Sequence, residues 1–388
     1  MRILIMTELR WDPYFLKSDD DFILFWEPYL AQGNKKILFV LGRGFDPRMC
    51  NGLRKIVNCG GGSVIDCLQI AYNEGPNSPS LKHQLNLDTN IAEYDSIVEQ
   101  CNGQSVKTIN MWSNDYPSRR RVGDRNAVDV VFTGIGEITP YTDVIIDISA
   151  LPKGIYFPII SKALYLLDRG KNEPNLKLPN LFIFVSENVH LDRQIIDVDI
   201  DETPKYIHGF SSDLEREGLK DKPVIWIPIL GEGKMVQLER IYNFVNPDEI
   251  CPVLPSPSFN PRRGDDLIIE YRELLFDRWH IEPQNIIHGH ERNPFEVYRQ
   301  IKKTIEHYNE ALEPLNNCLA VVSADSSKLI SLGALLAVYE LKRKNKSVGL
   351  TNIEAQGYEM RLKQGDNNSN HRYELFTLLL DGECHGYP

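Results

Sequence analysis

Short runs of β-branched and aromatic residues recur along the chain with helical stretches between them, a rhythm that predicts alternating strands and helices and hence largely parallel sheets. In the first half the strand candidates are residues 2–6, 37–41, 67–72, 106–112, 144–148 and 181–185. The clearest helix spans 156–167, where Phe157, Ile160, Leu164 and Leu167 recur at spacings of three and four, share one face and should cover the sheet. Residues 197–223 break the rhythm: they are acidic, hold Pro204, Gly209 and Gly218, and lack a sustained apolar period. The alternation then restarts, with strands at 224–230, 250–254, 285–288, 319–323 and 347–353 and helices at 235–244, 265–279, 294–312 and 329–342. Pro294 suits a first helical turn and Asn293 its cap.

This pattern predicts an α/β protein of two Rossmann-like domains with mainly parallel sheets, and a length of 388 residues suits two domains at roughly 100–200 residues each. The expected limits are a first domain over 1–200, a linker over 201–223, a second domain over 224–360 and a polar tail over 361–388. The tail holds one further apolar run, 375–380, expected as an edge strand or docked segment. The two halves share architecture without an alignable repeat.

Apolar residues at 42% and charged residues at 25% exclude a disordered or fibrous chain. A count of 43 Lys and Arg against 54 Asp and Glu, a net charge of −11, argues against a general nucleic-acid coat. Arg119, Arg120 and Arg121, with Arg125 nearby, form the densest basic run, either a solvated loop or a local contact to nucleic acid or phosphate. No run reaches the roughly 18–20 apolar residues of a membrane span, and apolar 1–6 is followed at once by Glu8, Arg10 and Asp12, unlike a signal peptide. A cytoplasmic protein with no membrane association is expected. The seven cysteines form no C-x-x-C pair, so free thiols are expected in place of a disulfide framework or zinc ribbon. His288, His290 and Glu291 lack an identifiable third ligand beside the two histidines, and no metal centre is predicted.

Candidate chemistry gathers at strand ends. Gly42-Arg43-Gly44-Phe45-Asp46-Pro47-Arg48 follows an apolar strand, where a glycine turn leaves backbone N–H groups near a helix start and Arg43 and Arg48 would grip phosphate or carboxylate. The same residues also fit a tight turn in which Asp46 caps the helix that Pro47 opens. Asp147 ends the apolar strand 144–147 and needs a partner or a cleft, with Ser149 and Lys153 following it as ligand contacts. A structural Asp147 held by neighbouring amides is the alternative. Asn73-Glu74, Ser113-Asn114-Asp115 and Ser186-Glu187 end other strands, and in a parallel sheet such ends converge on one rim. In the second half Gly231-Glu232-Gly233-Lys234 and Ser323-Ala324-Asp325-Ser326-Ser327-Lys328 repeat the arrangement, with Ser326 and Lys328 as an anion nest or as an ordinary helix cap. Neither loop is a P-loop, and H-E-x-x-H, G-x-S-x-G and kinase signatures are absent from the sequence.

The G-x-G-F-D loop at Gly42 to Asp46 resembles the glycine motif of abortive-infection and sirtuin-like antiphage proteins, which implies a nucleotide-binding Rossmann-like domain. The Asn and His motifs of sirtuin-type catalysis have no matching positions here. Residues 319–358, with Ser323, Lys328, Leu332, Gly333, Ala334 and Tyr358, resemble the last β-α-β unit of CARF and SAVED sensor domains, which implies binding of second-messenger oligonucleotides in bacterial defence. Three readings follow. The first is a nucleotide- or oligonucleotide-binding sensor or accessory subunit of an antiphage system, with a protein partner. The second is an enzyme acting on a nucleotide or NAD-like substrate, with Asp147 or Asp46 as acid or base. The third is a non-catalytic scaffold subunit. Beyond a nucleotide, no cofactor is indicated.

Overall fold

The computed structural model describes residues 9–60, 63–113, 121–192, 194–211, 222–361 and 373–382. Two compact units form, a larger one from Phe15–Asp201 with Glu354–Pro388 and a smaller one from Met1–Tyr14 with Glu202–Ile353. In chain order the larger unit holds β1 (Phe15–Ser18), α1 (Asp20–Ala31), β2 (Lys36–Arg43), α2 (Asn51–Asn58), β3 (Val64–Asn73), α3 (Gln84–Val98), β4 (Gly103–Asn110), α4 (Gly123–Val130), β5 (Asp143–Asp147), α5 (Lys153–Gly170), β6 (Asn180–Glu187), α6 (Val189–Asp192) and β7 (Ile195–Ile200). The smaller unit follows with β8 (Lys205–Tyr206), β9 (Val224–Ile229), α7 (Met235–Val245), β10 (Glu249–Ile250), β11 (Val253–Pro255), α8 (Arg263–Glu270), β12 (Ile287–Gly289), α9 (Pro294–Ala311), β13 (Leu319–Ala324), α10 (Lys328–Arg343) and β14 (Val348–Asn352). The chain then returns to the larger unit for β15 (Ala355–Met360) and β16 (Glu374–Asp381).

The main sheet of the larger unit has the order β1-β16-β6-β5-β2-β3-β4, and the strands from β6 to β4 are parallel. The chain winds from β2 outward through β3 to β4, then crosses back to β5 and β6 on the other side of β2. Strands β2, β5 and β6 are interior, so both faces are covered and the sequence reads as unbroken apolar runs rather than alternating ones. Strand β4 lies at an edge and is mostly exposed. Phe22, Phe25, Trp26 and Tyr29 of α1 pack on Phe182 and Phe184, with the Trp26 and Phe182 rings 4.8 Å apart. The predicted face of Phe157, Ile160, Leu164 and Leu167 is buried in α5, and Tyr156, Ile159 and Ala163 are buried with it.

The smaller sheet repeats the winding. Its order is β12-β11-β9-β13-β14-β8, parallel from β12 to β14, and the chain reverses direction between β9 and β13. The strand expected at 250–254 is split into β10 and β11 because Pro252 has no N–H for the ladder. The helix expected over 265–279 is interrupted, with a π-turn at Glu273–Arg278. Asn293 caps α9 as expected, its Oδ1 accepting from the Phe295 and Glu296 amides, with Pro294 in the first turn.

The chain is therefore α/β with large, mostly parallel sheets. Its finer division departs from the sequence reading in three places. Residues 195–200, partly assigned to the connection, form β7, which pairs antiparallel with β15 inside the larger unit. Tyr358 therefore sits in that ladder, and the strand closing the smaller unit is β14. The apolar run at 375–380 is an interior strand, bonded to β6 on one side and β1 on the other. Leu375 through Leu380 are all buried, as an apolar run with both edges paired requires. The strand expected at 2–6 lies outside the described residues, as does most of the polar tail.

Candidate functional site at the strand reversals

Open α/β sheets bind ligands beyond the carboxyl ends of their strands, at the point where the strand order reverses. In the larger unit that point lies between β2 and β5, where Leu41 pairs with Asp147. The G-x-G loop and the loop after β5 are therefore neighbours. A Cβ on Gly42 would stand 2.7 Å from Leu151 Cδ2 and one on Gly44 2.7 Å from the Tyr72 hydroxyl, so both glycines serve close packing.

Arg48 is 2% exposed, and its guanidinium is committed to protein carboxylates. Nε and one terminal nitrogen donate to the two oxygens of Asp46 at 3.0 and 2.8 Å; the other donates to Asp192 Oδ1 at 2.7 Å and to the Ser186 carbonyl at 3.4 Å. Burial opposes the charge, and Asp46 and Asp192 outweigh it, raising the Arg48 pKa well above its usual value. Asp46 also accepts from the Arg48 amide at 2.9 Å, while Asn90 of α3 donates to the carbonyls of Gly44 and Asp46. Phe45 packs its ring against His83 at 4.7 Å.

A second chain of bonds closes the other side. Asp147 Oδ1 accepts from the Ser149 amide at 2.9 Å, Ser149 Oγ accepts from the Ser186 amide at 2.8 Å, and Asn51 donates to Ser186 Oγ at 2.8 Å. Asp147 Oδ2 lies 2.2 Å from where a Gly52 Cβ would stand, so α2 seats directly on the carboxylate. Gly42, Gly44, Asp46, Arg48, Asp147 and Ser149 thus meet at one reversal, in a network satisfied largely by protein. Arg43 is half-buried and makes no ion pair with another described residue. Lys153 opens α5.

In the smaller unit the reversal lies between β9 and β13, where Ile229 pairs with Ala324. A Cβ on Gly231 would fall 2.0 Å from the Asp325 carbonyl oxygen, and Gly233 has φ +70, the left-handed region that favours glycine. Two backbone donors of this loop are taken internally: the Gly233 amide bonds Glu270 at 2.8 Å and the Lys234 amide bonds the Tyr271 hydroxyl at 2.9 Å. Glu232 binds Arg263 through two 2.8 Å bonds, and Arg263 also binds Glu291. Glu291 is thereby engaged, and among the described residues no group of three His, Cys, Asp or Glu could hold a metal.

The loop after β13 differs. Ser323 Oγ accepts from Trp226 at 3.1 Å, but Ser326 Oγ and Ser327 Oγ are shielded from solvent without a hydrogen-bond partner among the described residues. Ser327 stands at the N-cap of the 16-residue α10 yet makes no side-chain capping bond. Asn352 is 4% exposed and its Oδ1 also lacks a partner. The register Ser323 to Thr351 sets Asn352 level with Ala324, on the strand next to this loop. Lys328 is half-buried at the first position of α10. The sequence singles out Ser326 and Lys328 as candidates but not Asn352, whose signal there is a polar residue at the end of a strand.

Of the basic run, Arg119 and Arg120 lie outside the described residues. Arg121 is an interior residue rather than part of a solvated loop. Its side chain is 6% exposed, pairs with Asp201 at 2.9 Å and Glu354 at 3.2 Å, and lies over the Trp112 ring at 4.4 Å. Arg125 is exposed.

No helix among the described residues is long and apolar enough to cross a membrane. No family model matches the chain and no curated protein matches it. Among solved structures, the chain is similar to a type III CRISPR defence DNA nuclease activated by cyclic oligoadenylate, at 10% identity and a TM-score of 0.34 over 78% of this chain and 63% of that one. It thus spans less than two thirds of that protein's length. It is also similar to a putative universal stress protein from Pseudomonas aeruginosa UCBPP-PA14, at 10% identity and a TM-score of 0.21 over 84% and 95% of the two chains. A third similarity is to a NadR protein in complex with NAD and AMP-PNP, at 12% identity and a TM-score of 0.23 over 82% and 91%.

Proposed function

We propose that the smaller unit binds a nucleotide or oligonucleotide at its strand reversal, as a sensor or accessory subunit rather than an enzyme. Ser326, Ser327 and Lys328 take phosphate oxygens, and Asn352 Oδ1 accepts from the ligand. The observation that carries this reading is the pair of enclosed, unpartnered hydroxyls on Ser326 and Ser327 at the start of α10. Enclosed polar groups are nearly always bonded, and each left unbonded costs about 1–3 kcal/mol. A helix start with an idle cap is suited to an anion, and Lys328 supplies countercharge. The non-catalytic part of the reading is supported by Asp46, one of the two acid–base candidates, whose oxygens are both bonded to the Arg48 guanidinium.

Placement in an antiphage system with a protein partner rests on the sequence resemblance of residues 319–358 and of the G-x-G-F-D loop, and placement in the cytoplasm on the sequence's hydropathy and cysteine pattern. The test is thermal melting of the full chain against a panel of mononucleotides, NAD and short RNAs. A ligand should raise the melting temperature and emerge chemically unchanged, because selective binding to the folded state stabilises it by mass action. Ser326→Ala/Ser327→Ala and Lys328→Ala should each lose that shift. A panel in which no ligand raises the melting temperature removes the reading.

A further inference from the structure

Cys67 and Cys101 carry an inference independent of the ligand reading. Cys67 lies on β3 and Cys101 in the turn that leads from α3 into β4. Their Sγ atoms are 3.8 Å apart, with Cys67 donating. Cys67 is 1% exposed and Cys101 half-buried, so reagents in solution reach the second thiol first. The turn is fastened to β3 beside the sulfurs: the Asn102 amide donates to the Ile65 carbonyl at 2.9 Å, and the Ile65 amide donates to Asn102 Oδ1 at 3.2 Å. The turn that carries Cys101 is therefore tied to β3 close to Cys67. Two of the other buried thiols have different partners, Cys50 facing the Asn90 carbonyl and Cys251 the Tyr308 hydroxyl.

We propose that Cys67 and Cys101 are a dithiol oxidation site, at which a peroxide converts the pair to a reversible disulfide with Cys101 reacting first. The Cys101 thiolate attacks a peroxide oxygen, the O–O bond breaks, and Cys101 becomes a sulfenic acid while the departing hydroxide takes a proton to form water. Cys67 sulfur then attacks Cys101 sulfur. The S–S bond forms, the S–O bond breaks, and hydroxide leaves as water with the Cys67 proton. Two thiols and one hydrogen peroxide thus give one disulfide and two waters. The sulfurs have 3.8 Å to close to a bond of roughly 2.05 Å. The hydrogen bond from Cys67 holds the Cys101 thiol below its ordinary pKa, against burial and Asp66, which favours the reactive thiolate at this position.

The experiment treats the full chain with hydrogen peroxide, blocks remaining thiols, and digests it without reductant. The expected product is a crosslinked peptide pair joining Cys67 to Cys101, two hydrogens lighter than its reduced parts and lost on adding dithiothreitol. In Cys67→Ser the reaction should stop at a sulfenic acid on Cys101 that dimedone traps. In Cys101→Ser, Cys67 should remain a thiol. Overoxidation of Cys101 with Cys67 still reduced, or crosslinks that join only other cysteines, would overturn the proposal. Matching circular dichroism spectra for both serine variants and the parent separate loss of the crosslink from loss of folding.

Discussion

Arg48→Met distinguishes a fixed structural ion from a ligand-binding one. Methionine keeps much of the apolar stem, so the loss concentrates on a guanidinium bonded to Asp46 through two nitrogens and to Asp192 and Ser186 through a third. Asp46 is 12% exposed and would be left facing an apolar tip. Removing one member of a buried ion pair costs about 3–5 kcal/mol, because the survivor keeps its charge without compensation. Asp192 is 36% exposed, water replaces its partner readily, and its share is at most about 1 kcal/mol. Asp46 retains its bond from residue 48's own amide, which places the sum near the lower end, about 3 kcal/mol. At about 2–4 °C per kcal/mol for a domain of this size, the larger unit should melt about 6–12 °C lower.

Urea unfolding and calorimetry of the full chain measure the loss, and Asp46→Asn on the Arg48→Met background should restore half of it or more, since the two sites share one interaction. A loss below about 1 kcal/mol in Arg48→Met would show that the fork contributes no more than a surface pair. Unchanged stability together with loss of nucleotide-induced stabilisation would refute the reasoning outright, by making Arg48 a ligand group after all.

Three further substitutions test packing and charge elsewhere. Gly231→Ala drives a Cβ to 2.0 Å from the Asp325 carbonyl, a backbone contact with little freedom to yield, so it should cost at least the usual ~1–3 kcal/mol of overpacking in urea unfolding. Gly134→Ala, with nothing within 4 Å, should change stability by less than about 0.5 kcal/mol. Glu340 links α9 and α10 in the smaller unit, bonding Lys344 at 2.6 Å and Tyr298 and standing 3.4 Å from the fully buried Lys302. Burial alone would raise its pKa, but Lys344, Tyr298 and Lys302 outweigh burial and hold it below the ordinary 4.5. A depressed carboxylate contributes stability that is complete above its unfolded pKa and lost as pH falls through its folded value. Glu340→Gln should therefore flatten the fall in stability below about pH 4.5, and an unchanged acid limb would contradict the assignment.

The strands flanking both reversals were legible because interior parallel strands are covered on both faces and leave uninterrupted apolar runs, as in Ile37 to Leu41 and Val144 to Ile146. The loops after them were legible because glycine pairs and polar residues mark where such runs stop. Partners distant in the chain were not. Asp192 lies 144 residues from Arg48, and nothing near either residue signals the other. Arg121 read as part of a solvated run because its neighbours are basic, while Asp201 and Glu354 meet it only through the fold. The β7 and β15 ladder was missed for a related reason: Asp197 and Asp199 interrupt its apolar residues, so the segment resembled a connection until its antiparallel partner was known. Strand β16 carries the apolar run of an interior strand, but a run alone does not say between which neighbours it inserts.

The same winding in the two units meets two different fates at the reversal. Each sets a G-x-G turn at the end of its first parallel strand and a lysine, Lys153 or Lys328, at the start of the helix after the strand across the reversal, β5 or β13. In each, an arginine is forked to a carboxylate of the glycine loop, Arg48 to Asp46 and Arg263 to Glu232. These forks bring negative charge and fixed bonds to the glycine side, which disfavours phosphate there in both units. The opposite loops diverge. In the larger unit Ser149 is bonded to Ser186, whereas Ser326 and Ser327 of the smaller unit, with Asn352, present unpartnered oxygens. A ligand that bonds these three groups gains interactions without first breaking internal ones, whereas a ligand bonding Ser149 Oγ would compete with the Ser186 amide. That asymmetry is the physical ground for assigning the proposed site to the smaller unit, and it predicts that Ser149→Ala leaves ligand-induced stabilisation intact where Ser326→Ala/Ser327→Ala abolishes it.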